Sequence, residues 1–244
     1  MEIKPQHIRA PIGSIAEDVV VVGDPARARF LAEGLLEDAR LVNEKRGFHV
    51  YTGFYKGLRV SVAVHGIGAP SAAIVFEELR AYGARRVVRL GTCGGLVEDL
   101  DIGDFVVATG ALYNPGGTLG QYYQGVCPAA SPDPELTLLV AEEASKRGRT
   151  RLGLVFSSDA FYAEDPMFAK RVSRLGAVAV EMEAAVLFSL SWMRGYRAAA
   201  LLIVSDNLVV PGKEELRSHE ELEEYVARGG EAVLEALRRM AGRS

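Results

Sequence analysis

Four short stretches of this chain carry residues able to do chemistry, and each follows a run of apolar residues. Gly23-Asp24-Pro25-Ala26-Arg27 comes after the apolar residues 19–22. Glycine lets backbone amides come close to a ligand, and the start of a helix favours an anion. Arg27 would stand in the first helical turn, where a cation opposes the helix dipole, so something else must favour it there. The stretch is either an anion clamp or an ordinary strand–turn–helix joint with a solvated arginine. Arg89-Leu90-Gly91-Thr92-Cys93-Gly94-Gly95 places an arginine inside an otherwise apolar strand. A buried guanidinium must be paired, because its desolvation penalty is several kcal/mol. With the Thr92 hydroxyl and glycine-freed amides beside it, the stretch describes a cradle for a phosphate or carboxylate. The alternative is a strand-end arginine with its head in water.

Glu181 and Glu183 lie two apart at a strand-to-helix junction. In extended chain such residues point the same way. Paired carboxylates can accept hydrogen bonds from adjacent hydroxyls, as on a ribose 2′,3′-diol, or can form the acidic first turn of the following helix. Asp206, in Ser205-Asp206-Asn207, ends the apolar run 198–204. Burial there should raise its pKa, and a carboxyl still protonated near neutral pH can act as a general acid. An Asx-type cap ending the strand is the plainer alternative.

The elements that must position these residues follow from the hydrophobic pattern. Residues 19–23, 48–55, 60–65, 87–91, 104–112, 152–156, 177–180 and 199–204 have the composition of strands, with a Lys56-Gly57 turn between the second and third. Residues 26–36, 70–82, 135–147, 184–194 and 220–240 have helical periodicity, the last weakened by Gly229-Gly230. Strands alternating with helices predict an α/β fold: a single domain over 1–244, with a mostly parallel central mixed sheet flanked by helices. In such sheets ligands bind outside the carboxyl ends of the strands, where all four stretches lie. The chain's 244 residues, 49% of them hydrophobic, can build one sizeable core. The formal net charge is -4 and the charges are interspersed, so no nucleic-acid partner is expected. No apolar run reaches the ~18 residues of a membrane span, and residues 1–10 lack the apolar core of an export signal. A cytoplasmic location is therefore expected. Cys93 and Cys127 form no zinc-ligand spacing, so no metal site is expected.

Taken together, the motifs resemble the hexameric-type purine nucleoside phosphorylases and 5′-methylthioadenosine phosphorylases, with the archaeal-type members most similar. The resemblance runs from His7 to about Asn207. It rests on Gly23-Asp24-Pro25-Ala26-Arg27, Asn43-Glu44-Lys45-Arg46-Gly47, His65-Gly66-Ile67-Gly68, Arg89-Leu90-Gly91-Thr92-Cys93-Gly94, Ser158-Asp159-Ala160-Phe161-Tyr162, Val180-Glu181-Met182-Glu183 and Val204-Ser205-Asp206. It implies that Gly23, Arg27, Arg89 and Thr92 hold phosphate, joined by Arg46 from a neighbouring subunit. Met182 and Glu183 would hold the ribose, with His7 of the neighbour near the 5′ position and Phe161 stacking near the purine or ribose. Asp206 would protonate N7 of the leaving base. Arg217 is a candidate for the arginine that assists this acid in many members, although the intervening loop differs in length here. The resemblance further implies a hexamer built as a trimer of dimers, with phosphate as co-substrate and no cofactor.

A hydrolase of the same fold would not need three phosphate-facing arginines, and Arg27, Arg46 and Arg89 are all present. Uridine phosphorylases resemble one another in a Gln-x-Arg pair after the Phe-Tyr motif, where this chain has Ala163-Glu164-Asp165-Pro166-Met167. A non-catalytic nucleoside-binding protein would have no need of Asp206 together with the arginine set.

Overall fold

The computed structural model describes residues 3–123, 125–162, 167–218 and 220–243. Strand β1 (Asp18–Val22) is buried along its whole length. A strand without polar alternation belongs where both sheet faces are covered. Helix α1 (Pro25–Leu35) starts at Asp24, whose side chain accepts from the Ala26 amide, with Pro25 in the first turn. β2 (Glu37–Asn43), β3 (Val50–Tyr55) and β4 (Leu58–Val64) form an antiparallel wing. Lys56 and Gly57 both have positive φ in the β3–β4 turn, as two-residue hairpins require. The chain continues through α2 (Ala69–Ala81), β5 (Arg86–Gly95), β6 (Phe105–Tyr113), α3 (Gly117–Tyr122), α4 (Pro134–Ser145), β7 (Thr150–Ser157), α5 (Phe168–Ser173), β8 (Ala177–Glu181), α6 (Ala184–Arg194), β9 (Arg197–Asn207) and α7 (Glu223–Ala241).

The strand order is β2-β3-β4-β1-β5-β8-β7-β6-β9, and β9 pairs back onto β5. Five strands therefore close into a ring, and the other four extend from β5 as an open wing. β1 runs parallel to β4 and β5, β5 to β9, β6 to β7 and β7 to β8, whereas β8 and β6 lie antiparallel to β5 and β9 respectively. Helices α2 and α6 pack on one face, and α1, α4 and α7 on the other. This is the expected single-domain α/β fold with a mixed sheet. No helix is long and apolar enough to cross a membrane, among the described residues.

The short helices α3 and α5 were not expected, and three further features depart from the pattern-based expectation. β2 was not expected as a strand, because its side chains are mostly exposed and polar at the wing's edge. β5 does not stop at Gly91 but runs to Gly95, where Gly94 and Gly95 pair with both β9 and β8. Gly229-Gly230 does not interrupt α7. A Cβ at Gly229 would lie 3.0 Å from Leu90, and one at Gly230 only 2.5 Å from Leu31, so these glycines let α7 settle onto the sheet and α1. Cys93 is buried and Cys127 exposed, and both are free thiols.

Candidate active site

At the carboxyl ends of β1, β5, β8 and β9 lies a cavity of about 700 Å³. All four chemically suggestive stretches meet there: Gly23 and Arg27, Arg89 and Thr92, Glu181 to Glu183, and Asp206 all line it, as does Phe161. These positions are up to 183 residues apart in sequence, and the parallel register of β1, β5 and β9 aligns their ends.

One end of the cavity is built around Arg89, which is 4% exposed. Its Nε donates to Glu181 Oε2 at 3.2 Å, its Nη1 lies 2.9 Å from His65 Nε2, and its Nη2 meets Glu183 Oε2 at 2.5 Å. A guanidinium so fixed is a planar donor whose remaining protons face a defined direction. His65 is wholly buried, and its pKa is pushed well below the usual value by burial and by Arg89 and Arg27, with the Gly66 backbone opposing in part. The imidazole is therefore neutral, and its Nε2 accepts from Arg89 while Nδ1 lacks a well-aligned partner. Arg27 reaches in from α1 and is also buried. Burial first, and the neighbouring Arg89 second, lower its pKa to about 10. Its Nε has no hydrogen-bond partner among the described residues. Two buried guanidiniums side by side, one with an unpartnered N–H, form an anion site. The solvated-arginine reading of Arg27 is thus excluded. The amide of Ala26 at the start of α1 already donates to Asp24, so the clamp rests on the Arg27 side chain and less on the helix end.

The two glutamates divide their work. Glu181 accepts from Ser157, from Arg89 and from the amides of Glu183 and Ala184 at 2.8 Å each. Those amides open α6, and Ser157 Oγ accepts the amide of Ala185. Glu181, expected as a nucleoside ligand, is instead the buried cap of α6 and a brace for Arg89, because its oxygens are already engaged. Glu183 accepts from the Gly68 amide at 2.7 Å and from Arg89, and keeps accepting capacity toward the cavity. Burial raises its pKa, with Arg89 opposing and Glu181 adding to the rise.

Asp206, near the end of β9, lines the same cavity, as do Phe161 and Tyr162, which are 54% and 96% exposed. Burial raises the pKa of Asp206, and its hydrogen bond from Ser205 opposes the rise. The Ser205 hydroxyl donates to Asp206 Oδ1 at 2.7 Å and also lies 3.2 Å from the Cys93 carbonyl. When Asp206 carries a proton, Ser205 can turn its own hydrogen to that carbonyl and accept from the carboxyl instead. Asn207, expected only as a neighbour of the acid, is fully buried and donates to the Val97 and Leu100 carbonyls, anchoring the loop between β5 and β6.

Three expected residues lie elsewhere on this chain. His7 Nδ1 pairs with Glu78 Oε1 at 2.7 Å, and Glu78 also receives the amides of Gln6, His7 and Ile8. Arg46 sits at φ 58 in the single 3-10 turn Lys45–Gly47, exposed and without an ion pair among the described residues. Arg217 is not brought to Asp206. Its guanidinium pairs with Glu221 at 3.3 Å, and only its backbone amide reaches back, to the Ser205 carbonyl. Residues 163–166, where the base-reading pair of uridine phosphorylases would fall, lie outside the described residues. Sequence reasoning quoted His65 and Ser205 within its motifs but gave them no role, and it missed Leu208, Glu214 and Leu216. His65 directly follows the apolar strand β4, whereas the loop residues carried no signal.

A ring-and-wing α/β sheet with paired arginines at one end of its cavity and a buried acid at the other defines a class. The chain belongs to the Phosphorylase superfamily, which it matches over residues 17–241. It is 40% identical over 205 residues to the DeoD-type purine nucleoside phosphorylase of Clostridium beijerinckii, covering 83% of this chain and 86% of that one. It is also 40% identical over 205 residues to the DeoD-type purine nucleoside phosphorylase of Caldanaerobacter subterraneus subsp. tengcongensis, covering 83% and 88%. Among solved structures, a uridine phosphorylase from Vibrio fischeri superposes with a TM-score of 0.83 at 26% identity, over 92% of each chain.

Proposed function

We propose that this chain catalyses the phosphorolysis of purine nucleosides, releasing the free base and ribose 1-phosphate. The observation that carries this reading is the unpartnered, buried Nε of Arg27 beside Arg89, in the same cavity as the raised-pKa carboxyl of Asp206. The purine nucleoside phosphorylases at 40% identity support it. Phosphate bound by Arg27, Arg89 and Thr92 stabilises the cationic ribose that forms as the C1′–N9 bond stretches. A phosphate oxygen then bonds to C1′, while the bond pair passes into the purine and the Asp206 proton goes to N7, so the base leaves neutral. Gly23 keeps the turn after β1 open to the phosphate, and Glu183 and Met182 hold the ribose. Phosphate is a co-substrate, and no step asks for a cofactor.

Electrostatics also bears on assembly. Glu181 and Glu183 balance the Arg89 charge, leaving Arg27 to face a phosphate dianion alone. Arg46 and His7, away from this cavity, supply the missing groups to a neighbour's site in a homohexamer built as a trimer of dimers. Mixing His7→Ala/Arg46→Ala subunits with Asp206→Ala subunits should restore activity through hybrid sites. No recovery with verified exchange refutes shared sites.

The deciding experiment is a panel of inosine, guanosine, adenosine, 5′-methylthioadenosine and uridine, each with and without phosphate. Phosphate-dependent cleavage of the purine nucleosides is expected. Cleavage without phosphate would establish a hydrolase, and uridine cleaved as fast as any purine would overturn the base assignment. A hydrophobic subsite gains only about 1–3 kcal/mol per methylene-sized group, so methylthioadenosine should be preferred modestly at most.

A further inference from the structure

The glycines of β5 were expected to free backbone amides for an anion, yet all of them are paired with β9, with one register shift between Cys93 and Gly94 that leaves Ser205 as the extra residue. Their missing side chains have a different use. A Cβ at Gly91 would lie 2.7 Å from Arg89 Cζ and 2.7 Å from Nη2. The guanidinium lies against the bare face of Gly91, two residues along its own strand. A Cβ at Gly94 would lie 3.1 Å from Asp206 Oδ2 and 3.3 Å from Val180 Cγ1. Gly94 is paired with Asp206 on β9 and with Val180 on β8, so the strand is held from both sides there.

We propose that Gly91 and Gly94 are positioning residues that act separately: Gly91 is the seat of Arg89 and governs phosphate affinity, whereas Gly94 is the seat of Asp206 and governs proton donation to the base. This deepens the phosphorylase reading and rests on it. At each site the side chain, and not the strand, must yield to a new methyl group. Gly91 pairs with Leu202 in the parallel ladder to β9, which fixes its backbone. Arg89 is tied by hydrogen bonds to Glu181, His65 and Glu183, so moving its head out of the 2.7 Å contact disturbs all three at once. Asp206 needs a smaller shift, but its Oδ1 is held by Ser205, so displacement of Oδ2 swings the carboxyl about that bond.

The test is a pair of alanine variants read by ratios that do not depend on how much protein is folded. Phosphate KM is measured with inosine, and inosine is compared with 7-methylinosine. The latter already carries its positive charge at N7 and leaves as a neutral base without receiving a proton. Misplacement by about 1 Å can cost ~10²-fold, so Gly91→Ala should raise the phosphate KM by roughly ten- to a hundredfold while leaving the inosine/7-methylinosine ratio unchanged. Gly94→Ala should lower that ratio by about three- to tenfold and shift the alkaline limb of the inosine pH profile, with phosphate KM unchanged. Arg89→Ala and Asp206→Ala are the references. If they fail to give the same two signatures, the phosphorylase reading itself falls. If they give them but the glycine variants do not, or if both glycine variants move both readouts together, the separate seats are refuted. Gly95→Ala crowds Asn207 at 2.8 Å and serves as the folding control. Failure of Gly91→Ala or Gly94→Ala to fold where Gly95→Ala folds would also overturn the proposal, since it would show that the strand yields first.

Discussion

The two ends of the cavity are built on opposite plans. At the arginine end, Arg89 is held from three sides, Glu181 caps a helix and Glu183 takes the Gly68 amide, and only the Arg27 Nε is left free to meet a ligand among these fixed donors. At the acid end, Asp206 has one side-chain hydrogen-bond partner among the described residues, Ser205, and stands beside the bare Gly94 of β5, and the cavity around it is lined by loop residues and the exposed aromatics Phe161 and Tyr162. The difference follows from what each end does. Binding a dianion needs donors whose orientation is settled beforehand. Handing over one proton needs a carboxyl whose pKa is raised, and burial with few hydrogen bonds achieves that.

The largest effect should come from the acid end. Asp206→Ala should lower kcat toward inosine by ~10²–10⁴-fold, the usual worth of general acid catalysis, in steady-state assays. Full activity in that variant would erase the contrast between the ends. At the arginine end, Arg89→Ala should raise the phosphate KM strongly and also destabilise the fold by about 3–5 kcal/mol in denaturant titrations, because Glu181 and Glu183 lose their buried partner. A rise confined to the nucleoside KM would mean that the arginines do not face phosphate. Phosphate itself should stabilise the wild type by about 2.7 kcal/mol at a hundredfold excess over Kd, read as a rise in Tm, and Arg27→Ala should diminish that rise.

Protonation sharpens the comparison further. Asp206 has a raised pKa, so its contribution to stability is fully present below the ordinary aspartate value and is lost as pH rises through the raised one. Asp206→Asn should therefore be more stable than wild type on the alkaline side of that window, with the gap shrinking as pH falls through it. A constant gap across pH would show that Asp206 titrates normally. The smallest effect is expected for Arg217→Ala. It breaks an exposed pair with Glu221, worth about 0.2–1 kcal/mol, and should leave the pH profile of kcat unmoved.

What was legible in the sequence tracks the same division. Arg89, Thr92 and Asp206 stand out because each lies within or at the end of an apolar strand, and Gly23, Arg27 and Glu183 because they follow one within a few residues, where a polar residue has few uses other than a ligand. Arg27 was ambiguous until its burial was known. Glu181 was misjudged because spacing alone cannot tell a helix cap from a ligand. Arg217 was misplaced because a loop carries no periodicity from which direction can be read, and Glu214 and Leu216 went unseen for the same reason. β2 escaped notice because an exposed edge strand has no hydrophobic signature. The glycine pair of α7 looked like a weakness because helix propensity is local, whereas the close packing against Leu31 and Leu90 is not.

The closing of the strand ring sets a timetable for synthesis. β5 and β9 are separated by β6, β7 and β8 in the chain, yet Arg86 pairs with Arg197 and Gly94 with Asp206. During translation, the wing can be assembled from strands β1 to β5, but the arginine end waits for Glu181 and Glu183 at the end of β8, and the ring stays open until β9 leaves the ribosome. Until then the carboxyl edge of β5 has neither its β9 partner nor the acid it seats. A nascent chain stalled before residue 197 would expose that edge, and a protein truncated there would be prone to pair with a second incomplete chain before it could ever bind a base.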